Sequence, residues 1–310
     1  MGTVRQLRSG ARGMTLGTAC GAYLATLDHP ESRGTHRAYG TAYRVLTAAL
    51  GGDIDLSDLN RERLSAAFRK CWGDSRPATW NARRGALGSL LAYCEAQGWV
   101  NDAKSVMSGI EHRRLAPDRT RALSRAEVSS LLRRPGLPLR DKALFAMLYE
   151  TAARSSEILA LNVEDLDMPS KRARVTRKGG AQDWIVWQSG TATLLPRLLK
   201  GRTSGPLFVT DRKARVQLPP SDLDERGRAR LSYRQAEDLF KDASSGATLH
   251  QLRHSALTHA AEDGWSTPEL MARSGHSSVR SLARYARVSG EALQRKMEST
   301  DPARRAWDGF

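Results

Sequence analysis

Three cysteines in 310 residues are too few for a disulfide framework. Cys20, Cys71 and Cys94 form no Cys-x-x-Cys motif and no Cys/His ligand pair, so no zinc module is indicated. A reducing cytoplasm fits this cysteine usage. Acidic residues are also in short supply, 33 Asp and Glu against 49 Lys and Arg, which leaves a formal net charge of +16. Such a surface draws polyanions, nucleic acid first among them. An arginine-rich composition without a binding role gives the same number, and charge alone does not separate the two. No apolar run approaches the ~20 residues of a membrane span. The start, "MGTVRQLRSGARGM", is basic but lacks the apolar core of a signal peptide, and Gln6 stands where a myristoylation signal carries Ser or Thr. The chain reads as a soluble, cytoplasmic protein of roughly two domains with no membrane partner.

The first section, 15–104, is helical in pattern. "TLGTACGAYLATL" spaces Leu16, Cys20, Tyr23 and Leu24 for one helix face. "GTHRAYGTAYRVLTAALGG" ends on a glycine pair, and "LSDLNRERLSAAFRKCWG" opens at a Ser/Asp cap and closes at Gly73. "TWNARRGALGSLLAYCEAQGW" puts Leu87, Leu90, Leu91 and Cys94 on one side. Four such helices make a small bundle. Periodicity is lost over 105–122, a stretch with Gly109, Pro117 and a run of arginines, which reads as a basic linker. It could lie along a DNA backbone or be a solvated connector.

A second domain, 123–297, begins at Ser124, with Glu127 completing a capping box. "LRDKALFAMLYETAARSSEILAL" is apolar and helical. The period then drops to two, and Arg174-Val175-Thr176 and Trp184–Trp187 flank Gly179-Gly180 as a hairpin. The polar segment 211–231 reads as a loop, helices return after it, and 298–310 is a tail. The fold class is therefore mainly α with a small antiparallel β-sheet.

Chemistry concentrates in four places. In "TLHQLRHSALTHAAEDG", Thr248 caps a helix that puts His250 in its first turn and Arg253 and His254 one turn on. A helix N-terminus carrying His and Arg suits a phosphate. A zinc pair of His250 and His254 is disfavoured, because Gln251 stands where a metalloprotease needs Glu. Arg154 lies in an apolar setting among Ala152, Ala153, Ser155 and Ser156, where it needs a partner; Glu157 can orient it. Lys178 sits at the hairpin tip. "WSTPELMARSGHSSVRSLARYARV" reads as helix, glycine stop, helix, with His276 at the joint and Tyr285 late on the second helix. The same stretch can be read as a helix-turn-helix with Arg280 and Arg284 on its recognition helix.

Taken in order, "TAARSSEIL", "RKGG", "HQLRH", "SGHSS" and "RYARV" resemble the motif set of the tyrosine recombinases, or phage-type integrases, over about residues 15–297. Ala153 departs from the glycine before the arginine, and Ser274 from the leucine before Gly275. The resemblance implies a two-domain DNA-breaking-rejoining fold with an N-terminal SAM-like core-binding domain. The first helix is expected to start near residue 15, which leaves no room for a separate arm-binding domain in front of it. It implies a catalytic set of Arg154, Lys178, His250, Arg253, His276 and Tyr285, with Lys171 as fallback for the lysine. Tyr285 would form a 3′-phosphotyrosyl link, His250 act as general base and Lys178 as general acid, with no metal and no nucleotide cofactor. Two DNA sites would recombine through a Holliday junction held by a homo- or hetero-tetramer. Arg83, Arg84, Arg280 and Arg284 are the candidate DNA contacts. The alternatives are a helix-turn-helix regulator that leaves DNA intact, and a type IB topoisomerase.

Overall fold

The computed structural model describes residues 13–29, 32–116, 121–177, 179–276 and 278–282, and singly 294, 297, 298 and 301. Two compact units divide the chain, 1–117 and 118–310.

Unit 1 is built from α1 (Leu16–Thr26), α2 (Arg33–Leu50), α3 (Arg61–Trp72), α4 (Pro77–Ala96) and a short α5 (Ala103–Met107). Its core is the apolar stripe the sequence spaces out: Leu16, Leu46, Leu64, Phe68, Leu87, Leu90, Leu91 and Cys94 are all buried. Burial pushes the thiol of Cys20 up to about 12 and that of Cys94 up to about 11, so neither is a ready nucleophile. Two local readings change. α3 does not start at the Ser/Asp pair; Leu56–Asp58 is a separate 3-10 turn, and Asn60 caps α3 by accepting the Arg63 amide at 2.9 Å. The stretch read as a linker from residue 105 is bound to unit 1 as far as Arg113. Met107 and Ile110 are buried in the core. Trp80 donates its indole N–H to Glu111 O at 2.8 Å, and Asn81 pairs with both backbone groups of Arg113. The Arg113 guanidinium stacks 3.7 Å from the Trp80 ring. Composition marks this stretch as polar, but two apolar anchors and one indole outweigh that.

Unit 2 holds α6 (Arg125–Arg133), α7 (Leu139–Thr151), α8 (Ser155–Ala160), β1 (Leu166–Asp167), β2 (Arg172–Thr176), β3 (Gln182–Val186), α9 (Ser189–Leu199), β4 (Val209–Lys213), β5 (Arg228–Arg230), α10 (Tyr233–Ala243), α11 (Leu249–Glu262), α12 (Thr267–Ser274) and α13 (Val279–Leu282). One antiparallel sheet runs β1-β2-β3, with Ala173 opposite Ile185 and Thr176 opposite Gln182. The expected hairpin is therefore present, and Gly179 and Gly180 both take positive φ, the conformation its turn requires. Phe145, Phe208, Phe240, Trp187 and Leu144 fill the core between helices and sheet.

The segment read as a loop over 211–231 is partly a second, two-stranded sheet, β4-β5. Its strands carry charge rather than apolar alternation, which hides them from a periodicity reading. Ion pairs hold it instead: Arg228 with Asp224 at 2.7 Å and Arg230 with Asp222 at 2.9 Å. Arg230 also donates to the carbonyls of Leu159, Ala160 and Leu161, which ties the hairpin to the end of α8. Among the described residues no helix is long and apolar enough to cross a membrane.

Candidate active site

The apolar run from Leu139 does not make one helix. α7 ends at Thr151, and Ala152 turns left-handed at φ 51°. Arg154 then sits in extended conformation as the first residue outside α8. This break aims the arginine. It also shows that Ala152, rather than Ala153, occupies the place where a glycine would relax the chain, since left-handed backbone strains any residue with a Cβ. The strain is over-determined by its surroundings. Ala152 is fully buried, Thr151 Oγ1 accepts the Ala153 amide at 3.1 Å, and Ala152 O accepts from the Arg253 guanidinium.

Glu157 organises the two sides of the break. Its Oε2 accepts the backbone N–H of Arg154 at 2.9 Å, and its Oε1 accepts Arg154 Nη1 at 2.8 Å. The same Oε2 accepts Arg177 Nη1 at 2.9 Å. Arg177 follows directly on β2 and lies beneath the site, its side chain only 8% exposed. Its Nε donates to Asp183 Oδ2 at 3.1 Å, and its Nη2 lies 3.0 Å from the same oxygen, an ion-pair distance whose geometry is too bent for a second hydrogen bond. One buried carboxylate thus braces two guanidiniums, a charge-assisted arrangement that fixes direction as well as position.

Arg253 comes from α11. Thr248 caps that helix by accepting the Gln251 amide at 3.1 Å, which leaves His250 in the first turn and Arg253 one turn further in. Arg253 is 5% exposed and donates Nη2 to Ser274 O at 2.8 Å. α12 opens with the expected Ser266–Glu269 capping box and stops at Gly275, left-handed at φ 64°. Arg154 Nη2 donates to Gly275 O at 3.3 Å, so the glycine stop is held by the arginine opposite. His276 follows, with Nδ1 at 2.6 Å from Ser274 Oγ.

The outcome is a cavity of about 280 Å³ lined by Arg154, Ser155, Ser156, Tyr233, His250, Arg253 and His276. Four of the six residues singled out in the sequence meet there. Lys178, Arg284 and Tyr285 lie outside the described residues, as does the side chain of Arg280. The fallback Lys171 does not line this cavity; it takes φ 51° in the turn before β2, where its amide donates to Met168 O at 3.2 Å. Among the described residues no group of His, Cys, Asp and Glu could hold a metal. Two guanidiniums make the cavity cationic, two imidazoles stand beside them, and the set suits a single anionic group. In unit 1, Arg83 donates to Ala38 O at 3.0 Å and Arg84 to Ile110 O at 2.6 Å, so both candidate DNA contacts also tie the bundle together.

Sequence reasoning missed Arg177 and Tyr233. Arg177 is one more arginine in an arginine-rich chain, and only the sheet register carries it beneath Glu157. Tyr233, half exposed at the start of α10, lines the cavity with its hydroxyl 3.4 Å from Glu237 Oε2. Burial, then the Glu237 carboxylate beside it, pushes its phenol up, which opposes the phenolate a nucleophile needs.

Gly275 gives a direct test of this packing. A Cβ there would lie 2.5 Å from Arg177 Cζ and 2.6 Å from its Nη1. Gly275→Ala is expected to push Arg177 off Glu157 and, with the left-handed strain added, to cost roughly 2–3 kcal/mol. The check is the urea midpoint of unit 2 at unchanged m-value; an unshifted midpoint would show that Arg177 yields freely.

The profile of the phage integrase family matches residues 121–291. The chain is 30% identical over 297 residues to the tyrosine recombinase XerC of Mycobacterium tuberculosis (strain ATCC 25177 / H37Ra), covering 90% of this chain and 96% of that one. It is 30% identical over 234 residues to the tyrosine recombinase XerD of Mycobacterium leprae (strain TN), covering 70% and 72%. In fold it is similar to a lambda integrase dimer bound to a COC′ core site, with TM-score 0.68 and 15% identity over 89% of this chain and 97% of that one. It is also similar to a Tn1549 transposon integrase in complex with transposon right end DNA, with TM-score 0.65 and 16% identity over 93% and 99%.

Proposed function

The chain belongs to the phage integrase family of site-specific tyrosine recombinases, and we propose that its cavity holds the scissile phosphodiester of a DNA recombination site, with Tyr285 as nucleophile. The observation that carries this reading is the convergence of Arg154, His250, Arg253 and His276 on one small cationic cavity. Attack on a phosphodiester gathers charge on the non-bridging oxygens, and preorganised guanidiniums are the groups that stabilise it. Arg154, braced by Glu157, and Arg253, anchored on two backbone carbonyls, already point their donors before substrate arrives. A lysine could not copy that planar fork.

A phenol has a pKa of about 10, so roughly one in a thousand is ionised at neutral pH. His250 lies in the first turn of α11 and on the cavity wall, which supports a role as the general base that takes the Tyr285 proton. Lys178, between β2 and β3 in the sequence, is the general acid for the 5′ oxygen that leaves. The tyrosyl O–P bond forms as the P–O5′ bond breaks, so the phosphodiester energy is kept in a 3′-phosphotyrosyl link. A 5′-hydroxyl from a partner duplex attacks that link, releases Tyr285 and completes the exchange without nucleotide hydrolysis. Two rounds pass through a Holliday junction, and four protomers, identical or paired with a homologue, would hold the two duplexes. The resemblance to a lambda integrase tetramer bound to a Holliday junction supports this arrangement. The +16 net charge supplies the non-specific attraction to the backbone. A regulator that only bound DNA through 266–288 gives no reason for Arg154, His250 and Arg253 to line one cavity with His276.

The reading is tested with a nicked duplex carrying the recombination site, which traps the covalent stage by losing a short strand. The wild-type chain is expected to give an SDS-resistant adduct without added metal or nucleotide. After nuclease and protease digestion, the nucleotide mass should sit on the peptide that contains Tyr285. No adduct on any site, or a nucleotide on another peptide, would sink the proposal. Relaxation of plasmid lacking a site would point to the topoisomerase instead.

A further inference from the structure

Ser274 is a departure with a physical consequence. It ends α12, it is fully buried, and its Oγ lies 2.6 Å from Leu270 O and 2.6 Å from His276 Nδ1. A serine hydroxyl has one proton to give. If it went to His276 Nδ1, two oxygen lone pairs would face each other at 2.6 Å in a buried site with no proton between them. If it goes to Leu270 O, the hydroxyl lone pair is left to accept from Nδ1–H, and both contacts are attractive. We infer that Ser274 is a positioning residue for His276: by spending its proton on the Leu270 carbonyl it holds the imidazole in the Nδ1–H form.

The consequence reaches the chemistry, and this part rests on the function proposed above. With Nδ1 turned to Ser274, His276 meets a phosphate through Nε2. In the Nδ1–H form a neutral ring offers a lone pair there, which repels a phosphate oxygen. Only the imidazolium offers an N–H. Among the described residues, the charged groups beside this turn include the guanidiniums of Arg154 from the start of α8, Arg177 from the end of β2 and Arg253 from α11, with His250 on the same helix as Arg253. Glu157 lies behind the first two, and Tyr233 of α10 is the uncharged wall. The bound phosphodiester is the anion that favours the second proton. The donor is then fully present at low pH and is lost as pH rises through the His276 titration. Without the serine hydroxyl, the neutral ring is free to carry its proton on Nε2 and to donate without charging.

Two measurements test this on the full chain. Long-range proton–nitrogen correlation spectra of the ¹⁵N-histidine-labelled protein report which ring nitrogen of His276 is protonated in the neutral form, with His276→Gln identifying the signal. The wild type is expected to show Nδ1–H, Ser274→Thr to keep it, and Ser274→Ala to move to Nε2–H. A wild-type Nε2–H form, or a Ser274→Ala spectrum still in the Nδ1–H form, overturns the inference. The wild-type spectrum decides the tautomer even if Ser274→Ala fails to fold. The second measurement is the pH profile of adduct formation. The alkaline fall that His276→Ala removes is expected to flatten in Ser274→Ala and persist in Ser274→Thr; an unchanged fall in Ser274→Ala overturns the role. Because the spectra need no DNA and no turnover, a chain that forms no adduct leaves the tautomer result standing and removes only the function it rests on.

Discussion

Tyr285→Phe is expected to lower adduct formation at least ~10⁴-fold, the order reached when the nucleophile of a covalent enzyme is deleted. The substitution takes one oxygen and leaves the ring, so packing and charge stay in place. Retention of site DNA on a gel should change less than about twofold, because phosphate contacts and counterion release dominate that affinity. The contrast between the two readouts is the point: a structural tyrosine would lose both or neither. If the adduct persisted, the nucleophile would have to be another group at the cavity, and among the described residues Tyr233 is the tyrosine that lines it. Its phenol is a poor substitute, since burial and Glu237 both hold the proton on. A persistent adduct mapped to Tyr233 would therefore overturn the electrostatic argument as well as the assignment.

Glu157→Gln carries the second largest expected effect, and it acts through stability and activity together. The Glu157 side chain is 4% exposed and Arg177 8%, so the pair is out of water, while Arg154 stays 35% exposed. The carboxylate accepts from three N–H groups, and an amide cannot: one of its two ends is an NH₂ that must face Arg154 Nη1, or else Arg154 N and Arg177 Nη1. Removing one partner of a buried ion pair leaves the other charge uncompensated, at a cost of about 3–5 kcal/mol. Asp183 keeps a contact with Arg177, which points to the lower end, about 3 kcal/mol, and a melting point of unit 2 lower by roughly 6–12 °C. Adduct formation should fall by on the order of 10²-fold as well, because Arg154 loses its brace while keeping its charge. Calorimetry and the nicked-duplex assay check the two halves separately. A variant as stable as wild type would mean that Arg177 is hydrated, contrary to its burial.

The two substitutions divide what could be read early from what could not. Helix termini were legible wherever a side chain speaks for its own backbone. The boxes at Ser124–Glu127 and Ser266–Glu269, the Thr248 cap and the Gly275 stop all act within four residues. So was the hairpin around Gly179-Gly180, because two-residue alternation and a glycine turn are local signals. Reading failed where the partner is distant. Residues 105–113 look like a linker until Trp80, Asn81 and the unit 1 core are there to bind them. The β4-β5 strands look like a loop until Asp222 and Asp224 neutralise their arginines. The break at Ala152 is invisible in an apolar helical run, since an alanine with left-handed backbone is stable only inside contacts already made.

By itself the sequence determined the chemical inventory: a cationic chain, a mainly helical fold, and arginines, histidines and a tyrosine at spacings that resemble the tyrosine recombinase motifs. Tertiary structure alone decided how four of those residues, from three places in the chain, come to line one cavity. It also decided that a single carboxylate braces two arginines, and that Ser274 stands behind His276. The physical reason is that caps, turns and periodicity act over a few residues. A guanidinium buried beneath a site is held by partners 6 and 20 residues away, and which arginine that will be follows from strand register and helix packing.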